Sequence, residues 1–292
     1  MYHRFPLFVA KSKADLSMVV IGLKGAFWQE KPESYEVADT VSGLSSFLCE
    51  NSFRPVGEDG SEMIKVDVYS VMGVGTQILL SRESGDLLVD AGDGVTRDLL
   101  QARYDFYRLK GILLTHEDFD HISGLYALVS FLRNFYRHRK VRLVPLTIVV
   151  PNPTHHVHLM TQPPLMYADP GFPLKLHEAV LEETLSIDGF TIRTFAVDHQ
   201  KRGRASAIGG NLGYSITDKE GFRVVLSGDT RPCEALEKEA RDADIAVIEA
   251  SARDQDSQKA DEQGHMTKSQ AEKIGRRAKK AIYIHQRPDW FV

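Results

Sequence analysis

The chain has 292 residues, with 36 basic and 40 acidic side chains for a formal charge of −4, 42% hydrophobic and 26% charged residues. It is long enough for one large domain or two small ones, and its balance excludes the general polyanion attraction of a dedicated nucleic-acid binder, so any nucleic-acid contact must be local. Its two cysteines, Cys49 and Cys233, are too few for a disulfide framework or a thiolate metal site. No apolar stretch reaches the length of a bilayer span, and the start Met1–Lys11 is charged too soon for a secretory signal. A reducing, cytoplasmic setting without a membrane partner is the expectation.

Residues 1–63 lack periodic patterning and carry glycine and polar punctuation such as Pro55-Val56-Gly57-Glu58-Asp59-Gly60, which places a boundary near Glu62 and leaves residues 1–63 as an extension of unassigned role. Residues 64–292 form the second unit, in which short β-branched runs alternate with amphipathic stretches. Strands are predicted at Lys65–Val71, Thr76–Ser81 and Asp86–Asp90, then a helix over Val95–Arg108 and a strand at Lys110–Leu114. A helix beginning near His121 carries Leu125, Leu128, Val129 and Leu132 at core spacing. Its basic end, Arg133, Arg137, Arg139, Lys140 and Arg142, is either solvated or a phosphate patch. Strands follow at Leu146–Val150, Leu174–Glu178 and Phe190–Asp198, then a hairpin of Leu212–Thr217 and Arg223–Leu226 about Asp218–Gly221. Thr230 is placed as the cap of a helix reaching Arg241, and Asp244–Ile248 as a strand. Thr267 and Gln270 form a capping box for a helix ending near Lys280, before the closing strand Ala281–Ile284.

The densest chemistry lies at Thr115-His116-Glu117-Asp118-Phe119-Asp120-His121, directly after the apolar run 111–114. Alternate residues of an extended segment share a face, so His116, Asp118 and Asp120 can converge while His121 reaches in from the next helix. Imidazole nitrogen with carboxylate oxygen suits zinc, manganese or iron(II). Three more strand ends carry a His or Asp: Asp198-His199, Asp229-Thr230 and His285. The run Pro153-Thr154-His155-His156-Val157-His158 has no carboxylate or cysteine at matching spacing and is read as a polar helix start rather than a metal site. Cys233 is read as buried rather than reactive.

From Ile64 to His285 the chain resembles the metallo-β-lactamase fold and, within it, ribonuclease Z, the endonuclease that trims tRNA 3′ ends. Gly73-Val74-Gly75-Thr76 with Leu87–Gly92 resembles the first motif, and Thr115–His121 the Thr-His-x-His-x-Asp-His signature. Phe195–His199 followed by Gly213-Tyr214 matches the third motif, and Ser227-Gly228-Asp229-Thr230-Arg231-Pro232 the aspartate motif. Ile248-Glu249-Ala250 resembles the His-Glu-Ala-Thr segment, His265-Met266-Thr267 the His-Ser-Thr segment, and His285 the final ligand. The resemblance implies an α/β (α+β) chain folded as a four-layer αββα sandwich, two mixed sheets face to face with helices outside and a cleft at the strand ends. It implies one ion on His116, Asp118 and His199, a second on Asp120, His121 and His285, and Asp229 between them. It also implies a catalytic trio in which Asp120 joins His265, the general acid, and Glu249, which orients and charges that histidine.

Asp118 departs from the family, which has histidine there. Two divalent ions are expected, zinc first, with manganese or iron(II) open because of the added oxygen, and loss of one site also open. The interval from His199 to Asp229 is too short for the family's tRNA-gripping arm and holds instead the basic loop Gln200-Lys201-Arg202-Gly203-Arg204, a phosphate clamp or a solvated loop. Phe27-Trp28 in the extension could stack on a base or pack. The reading is therefore a phosphodiester hydrolase with structured RNA as first substrate class and a homodimer left open. The alternatives are a hydrolase of a small cyclic phosphodiester, ester, thioester or lactone, and a non-catalytic module with a degenerate metal site.

Overall fold

Apolar residues run without interruption through Ile78–Leu80 and Leu87–Val89, the pattern of strands covered on both faces, whereas Val66 and Val68 alternate with polar neighbours as an outer strand does. The computed structural model describes residues 63–139, 145–157, 172–200 and 210–286, together with a ladder between Val9–Ala10 (β1) and Val19–Val20 (β2). Two compact units divide the chain, Met1–Val41 and Ser42–Val292; the ladder belongs to the first and all that follows to the second. Outside the described residues lie the boundary near Glu62, Phe27-Trp28, Cys49, Lys140, Arg142, His158 and the loop 201–204.

One six-stranded sheet contains β3 (Lys65–Val71), β4 (Gly75–Arg82), β5 (Gly85–Val89), β6 (Leu109–Leu113), β7 (Leu146–Pro151) and β8 (Leu174–Ala179), side by side in chain order. A second six-stranded sheet contains β9 (Thr184–Ile187), β10 (Phe190–Ala196), β11 (Leu212–Thr217), β12 (Arg223–Leu226), β13 (Ile245–Glu249) and β14 (Lys280–Ile284), also side by side. Both sheets are mixed: β3 to β5 and β9 to β12 pair antiparallel, β5 to β8 and β12 to β14 parallel.

The two-residue period of a strand sorts the core into layers. Val66, Val68, Ile78, Leu80, Leu87 and Val89 face Phe190, Ile192, Tyr214, Val224 and Val247 between the sheets. The alternate residues Leu79, Leu88, Ile112 and Ile148 pack outward with Val95 and Leu99 of α1 (Val95–Gln101) and with Leu128, Val129 and Leu132 of α3 (Leu125–Arg139). On the far side Val225, Ala246 and Ile248 pack with Leu236 of α4 (Glu234–Ala240) and with Ala271 and Ile274 of α6 (Lys268–Gly275). This is the αββα sandwich.

Several expectations need correction. The helix predicted over Val95–Arg108 stops at Gln101, Arg103 turns through φ 53°, and a 3-10 turn covers Phe106–Arg108, where Arg108 pairs with Asp86 at 2.9 Å. The helix predicted from Thr230 starts at Glu234 with Cys233 at its cap, because Pro232 removes an N–H and disfavours helical backbone at Arg231. Near His121 there is one turn, α2 (Phe119–Ile122), before Gly124 and α3. Elements that escape the sequence reading include the β1–β2 ladder, edge strand β9, and α5 (Ser257–Gln263), whose sole buried residue is Ala260. The capping box at Thr267 and Gln270 is present, but its helix ends at Gly275 rather than near Lys280, where β14 begins.

Strands β10, β12, β13 and β14 run in one direction, so Asp198-His199, Asp229, Glu249 and His285 emerge at one edge of their sheet. Parallel β5 and β6 bring Asp90 and the 115–121 segment to an edge of the other. The two edges are tied together: the Tyr214 hydroxyl donates to the Leu114 carbonyl (2.6 Å), Leu212 N–H to the Thr115 carbonyl (2.9 Å) and His285 N–H to Ser70 Oγ (3.0 Å). Tyr214 is fully buried, so Tyr214→Phe removes a donor that water cannot replace. The expected cost is about 1–3 kcal/mol, read from denaturant unfolding of the metal-free protein.

Candidate metal centre

Asp90 ends β5 at φ 59°, in a left-handed turn that carries its carboxylate under the 115–121 segment. There it accepts Thr115 N–H (2.8 Å), the Thr115 hydroxyl (2.9 Å) and His121 Nδ1–H (2.8 Å). With its hydrogen given to Asp90, Thr115 Oγ1 accepts from His116 Nδ1 at 3.0 Å. One buried carboxylate thus fixes two histidines, one directly and one through a hydroxyl, and turns both Nε2 atoms inward. His199 is fixed similarly, its Nδ1–H donating to the Gly264 carbonyl at 2.9 Å.

On the other side Glu249, fully buried, accepts Thr230 N–H at 2.7 Å and the Ser251 hydroxyl, and lies 3.1 Å from His265 Nδ1. Ser251 Oγ in turn accepts from His285 Nδ1 at 2.9 Å.

The groups so oriented meet around Asp229. Its Oδ2 lies 3.5 Å from Nε2 of both His121 and His285, 3.9 Å from His116 Nε2 and 3.8 Å from His265 Nδ1. Asp118 Oδ2 turns inward, 3.4 Å from His199 Nε2 and 3.9 Å from His116 Nε2, although the side chain is 57% exposed. Asp120 Oδ2 is 2.9 Å from His285 Nε2 and accepts Gly73 N–H at 3.0 Å. Ligand atoms of His116, Asp118 and His199 lie within 4.8 Å of one another, as do those of Asp120, His121 and His285, and those of His116, His121 and Asp229. All seven expected ligands and the Glu249–His265 pair are therefore drawn together. Among the described residues, the ion-pair partners of Asp118, Asp120, Asp229 and Glu249 are histidines rather than arginine or lysine.

The donor set fits a divalent cation. His116 Nε2, His121 Nε2 and Asp229 Oδ1 are buried without a hydrogen-bond partner, and each such group costs on the order of 1–3 kcal/mol if nothing meets it. Two imidazole nitrogens and a carboxylate oxygen aimed at one space are ligands in search of a Lewis acid. Histidine rings continue around that space, with centroids 4.1 Å apart for His116–His121, 4.9 Å for His116–His199, 4.8 Å for His199–His265 and 5.5 Å for His121–His285.

Charge is held there against burial. Burial and then His121 push His116 well below its ordinary value, leaving it neutral. Burial opposes protonation of His121, His199 and His285 too, but the carboxylates of Asp229 and Asp90, of Asp118 and Asp229, and of Asp229 and Asp120, respectively, outweigh it and raise all three. The hydrogen bond from His199 lowers Asp118; for Asp120, burial is outweighed by the hydrogen bond from His285 and the charge of His121, which hold it at about 2.

Four contributors carried no assigned role in the sequence reading. Asp90 stood in the first motif, but its link to His121 spans 31 residues. Ser251 reaches His285 across 34 residues. Arg231, buried, donates to Asp198 Oδ1 (2.7 Å), the Gln200 carbonyl and the Asp261 carbonyl (2.5 Å), holding the turn that carries His199. Glu117 faces away from the site, and its carboxylate accepts Thr154 Oγ1–H (2.5 Å), His155 N–H (2.8 Å) and Val157 N–H (3.0 Å). A strand-end carboxylate after Leu87–Val89 was the available clue for Asp90; the others leave none in a single sequence. His156 and Val157 begin a helical turn there, and Cys233 is half-buried at the cap of α4.

Residues 86–285 match the family model described as the beta-lactamase superfamily domain. Similar proteins include ribonuclease Z of Ignicoccus hospitalis, 25% identical over 237 residues that cover 68% of this chain and 77% of the relative. Ribonuclease Z of Bradyrhizobium sp. is 30% identical over 231 residues, covering 63% and 74%. The crystal structure of the short form of human tRNase Z superposes with a TM-score of 0.62 at 20% identity, covering 76% of this chain and 91% of that one.

Two outcomes are expected. Asp90→Asn keeps the shape but removes the charge that fixes His121, and metal affinity should fall about 10- to 100-fold by calorimetric titration. Because His121, His199 and His285 have raised values, their paired, protonated forms stabilise the metal-free protein fully below the ordinary 6.5, and that contribution is lost as pH rises through the folded values. A cation must displace those protons, so the rise in Tm on adding zinc should be larger at about pH 8 than at about pH 6.

Proposed function

Because the chain belongs to the beta-lactamase superfamily, we propose that it is a metal-dependent phosphodiesterase of ribonuclease Z type, with RNA as its substrate class and the hydrolase in residues 64–292. His116, Asp118 and His199 would hold one divalent ion, Asp120, His121 and His285 a second, and Asp229 would lie between them. Zinc is the first candidate, with manganese or iron(II) next because Asp118 offers oxygen where the resembling family has nitrogen. When bound, such ions lower the pKa of water and offset charge on a phosphoryl group under attack.

The protein's own groups supply orientation and proton handling. Asp120, anchored by Gly73 N–H and His285, would accept a proton from the attacking water. The observation that carries the reading is the reversed edge of His265. His116, His121, His199 and His285 give Nδ1 to the scaffold and turn Nε2 towards Asp118, Asp120 and Asp229. His265 instead keeps Nδ1 against Glu249 and Asp229, which leaves Nε2 to exchange a proton with something outside the cluster. That is the posture of a general acid held by its carboxylate partner, able to protonate a leaving oxygen. The Glu249–His265 pair and the Ser227–Pro232 motif go with the ribonuclease branch of the resemblance, which favours phosphoryl over ester or lactone chemistry.

Hydrolysis of bis(p-nitrophenyl) phosphate and of an RNA oligonucleotide with zinc, manganese or iron(II), set beside a lactone and a thioester, tests the proposal. Turnover of the acyl substrates alone would overturn it. His265→Ala should retain its metal by elemental analysis while kcat falls about 10²- to 10⁴-fold.

A further inference from the structure

Two residues of the 115–121 segment take no part in the metal cluster, Glu117 and Phe119, and they act together. Glu117 is buried and anchors the 154–157 turn through three hydrogen bonds, and His156 Nδ1 stands 3.7 Å from its second oxygen. The anchoring brings the His156 ring to 6.0 Å from the Phe119 ring, at an interplanar angle of 57°. Phe119 is nevertheless 74% exposed, the most exposed large hydrophobic side chain among the described residues. Its two chain neighbours are Asp118 and Asp120, whose carboxylates turn into the cluster. Val74, 55% exposed, is the residue after Gly73, whose N–H donates to Asp120 Oδ2.

An exposed phenylalanine contributes little to folding, and neither the packing of α2 nor the ligands around it require a ring. What the position offers is a flat apolar face at the rim of the cleft, within one residue of two groups that would face the scissile phosphate. In a nucleic-acid phosphodiester the base supplies such a face, and stacking of a base on an aromatic side chain is worth about 1–3 kcal/mol, or roughly five- to 150-fold in affinity. We propose that Phe119, backed by His156, is a stacking platform for an unpaired nucleobase next to the bond that is cut, which makes the substrate a single-stranded nucleotide segment. The proposal rests on the phosphodiesterase reading and narrows it.

The test is direct binding to the metal-loaded full chain, by calorimetry, of adenosine 5′-monophosphate against ribose 5-phosphate, which differ only in the base. The wild type should favour the nucleotide on the order of tenfold. Phe119→Ala should abolish that preference with metal content and ribose 5-phosphate affinity unchanged, and Phe119→Trp should keep it. Equal binding of the two ligands by the wild type, or a preference that survives in Phe119→Ala, overturns the platform even where RNA is cleaved. Loss of phosphodiester hydrolysis with the base preference intact would instead overturn the proposed reaction and leave the platform standing.

Discussion

The structure is organised around a concentration of charge that a protein interior does not tolerate unaided. Asp229 is buried among four imidazoles, and two of their nitrogens and one of its own oxygens have no protein partner. Left alone, such a cluster costs several kcal/mol, and it persists only where the surrounding scaffold has enough apolar burial to offset it. The sandwich supplies that in three layers of core, one between the sheets and one on each outer face. The arrangement is stable enough to hold the ligands apart and costly enough to favour a cation among them.

Orientation follows a repeated device. Asp90 holds His121 directly and His116 through the Thr115 hydroxyl; Glu249 holds His265 directly and His285 through the Ser251 hydroxyl. In each half one carboxylate sets the tautomer of two rings. The halves differ in outcome: both rings on Asp90 turn Nε2 into the cluster, whereas the pair on Glu249 splits, His285 inward and His265 with Nδ1 inward. A shared carboxylate thus couples a ring that faces the Asp229 cluster through Nε2 to one that faces it through Nδ1, so a charge change at either is felt by both.

How much of this is legible in the sequence depends on the range of the interaction. Strand positions were legible because Leu87–Val89 and Ile245–Ile248 are continuous apolar runs, and the capping box because Thr267 and Gln270 are three residues apart. Convergence of His116, His199, Asp229, Glu249 and His285 was legible because each lies at or just after the end of a strand, whereas His265 follows the end of α5. Helix α5 was not, since Ser257–Gln263 has almost no apolar residue to set a period. Thr230 looked like a cap because of its residue type, yet its hydroxyl accepts Asp198 N–H at 2.9 Å, a demand made by a residue 32 positions earlier. Ser251, Glu117 and Arg231 belong to the same class: ordinary polar residues until distant backbone arrives beside them.

That unread helix links two halves of the chemistry. Gly264 ends α5 at φ 87°, and a Cβ there would come within 3.0 Å of His199, so only glycine lets the helix end close against that ring. The Gly264 carbonyl fixes His199, and the next residue is His265. Arg231 donates to the Asp261 carbonyl within α5 and to Asp198 beside His199, so its guanidinium clamps helix and loop to the Asp229 turn. Three side chains from three strand ends, His199, Asp229 and Glu249, and His265 just past the end of α5, are thereby held to a common frame. Displacement of α5 would disturb His199 and His265 together, which makes the end of this polar helix as much a part of the cluster as the strand ends that carry its other residues.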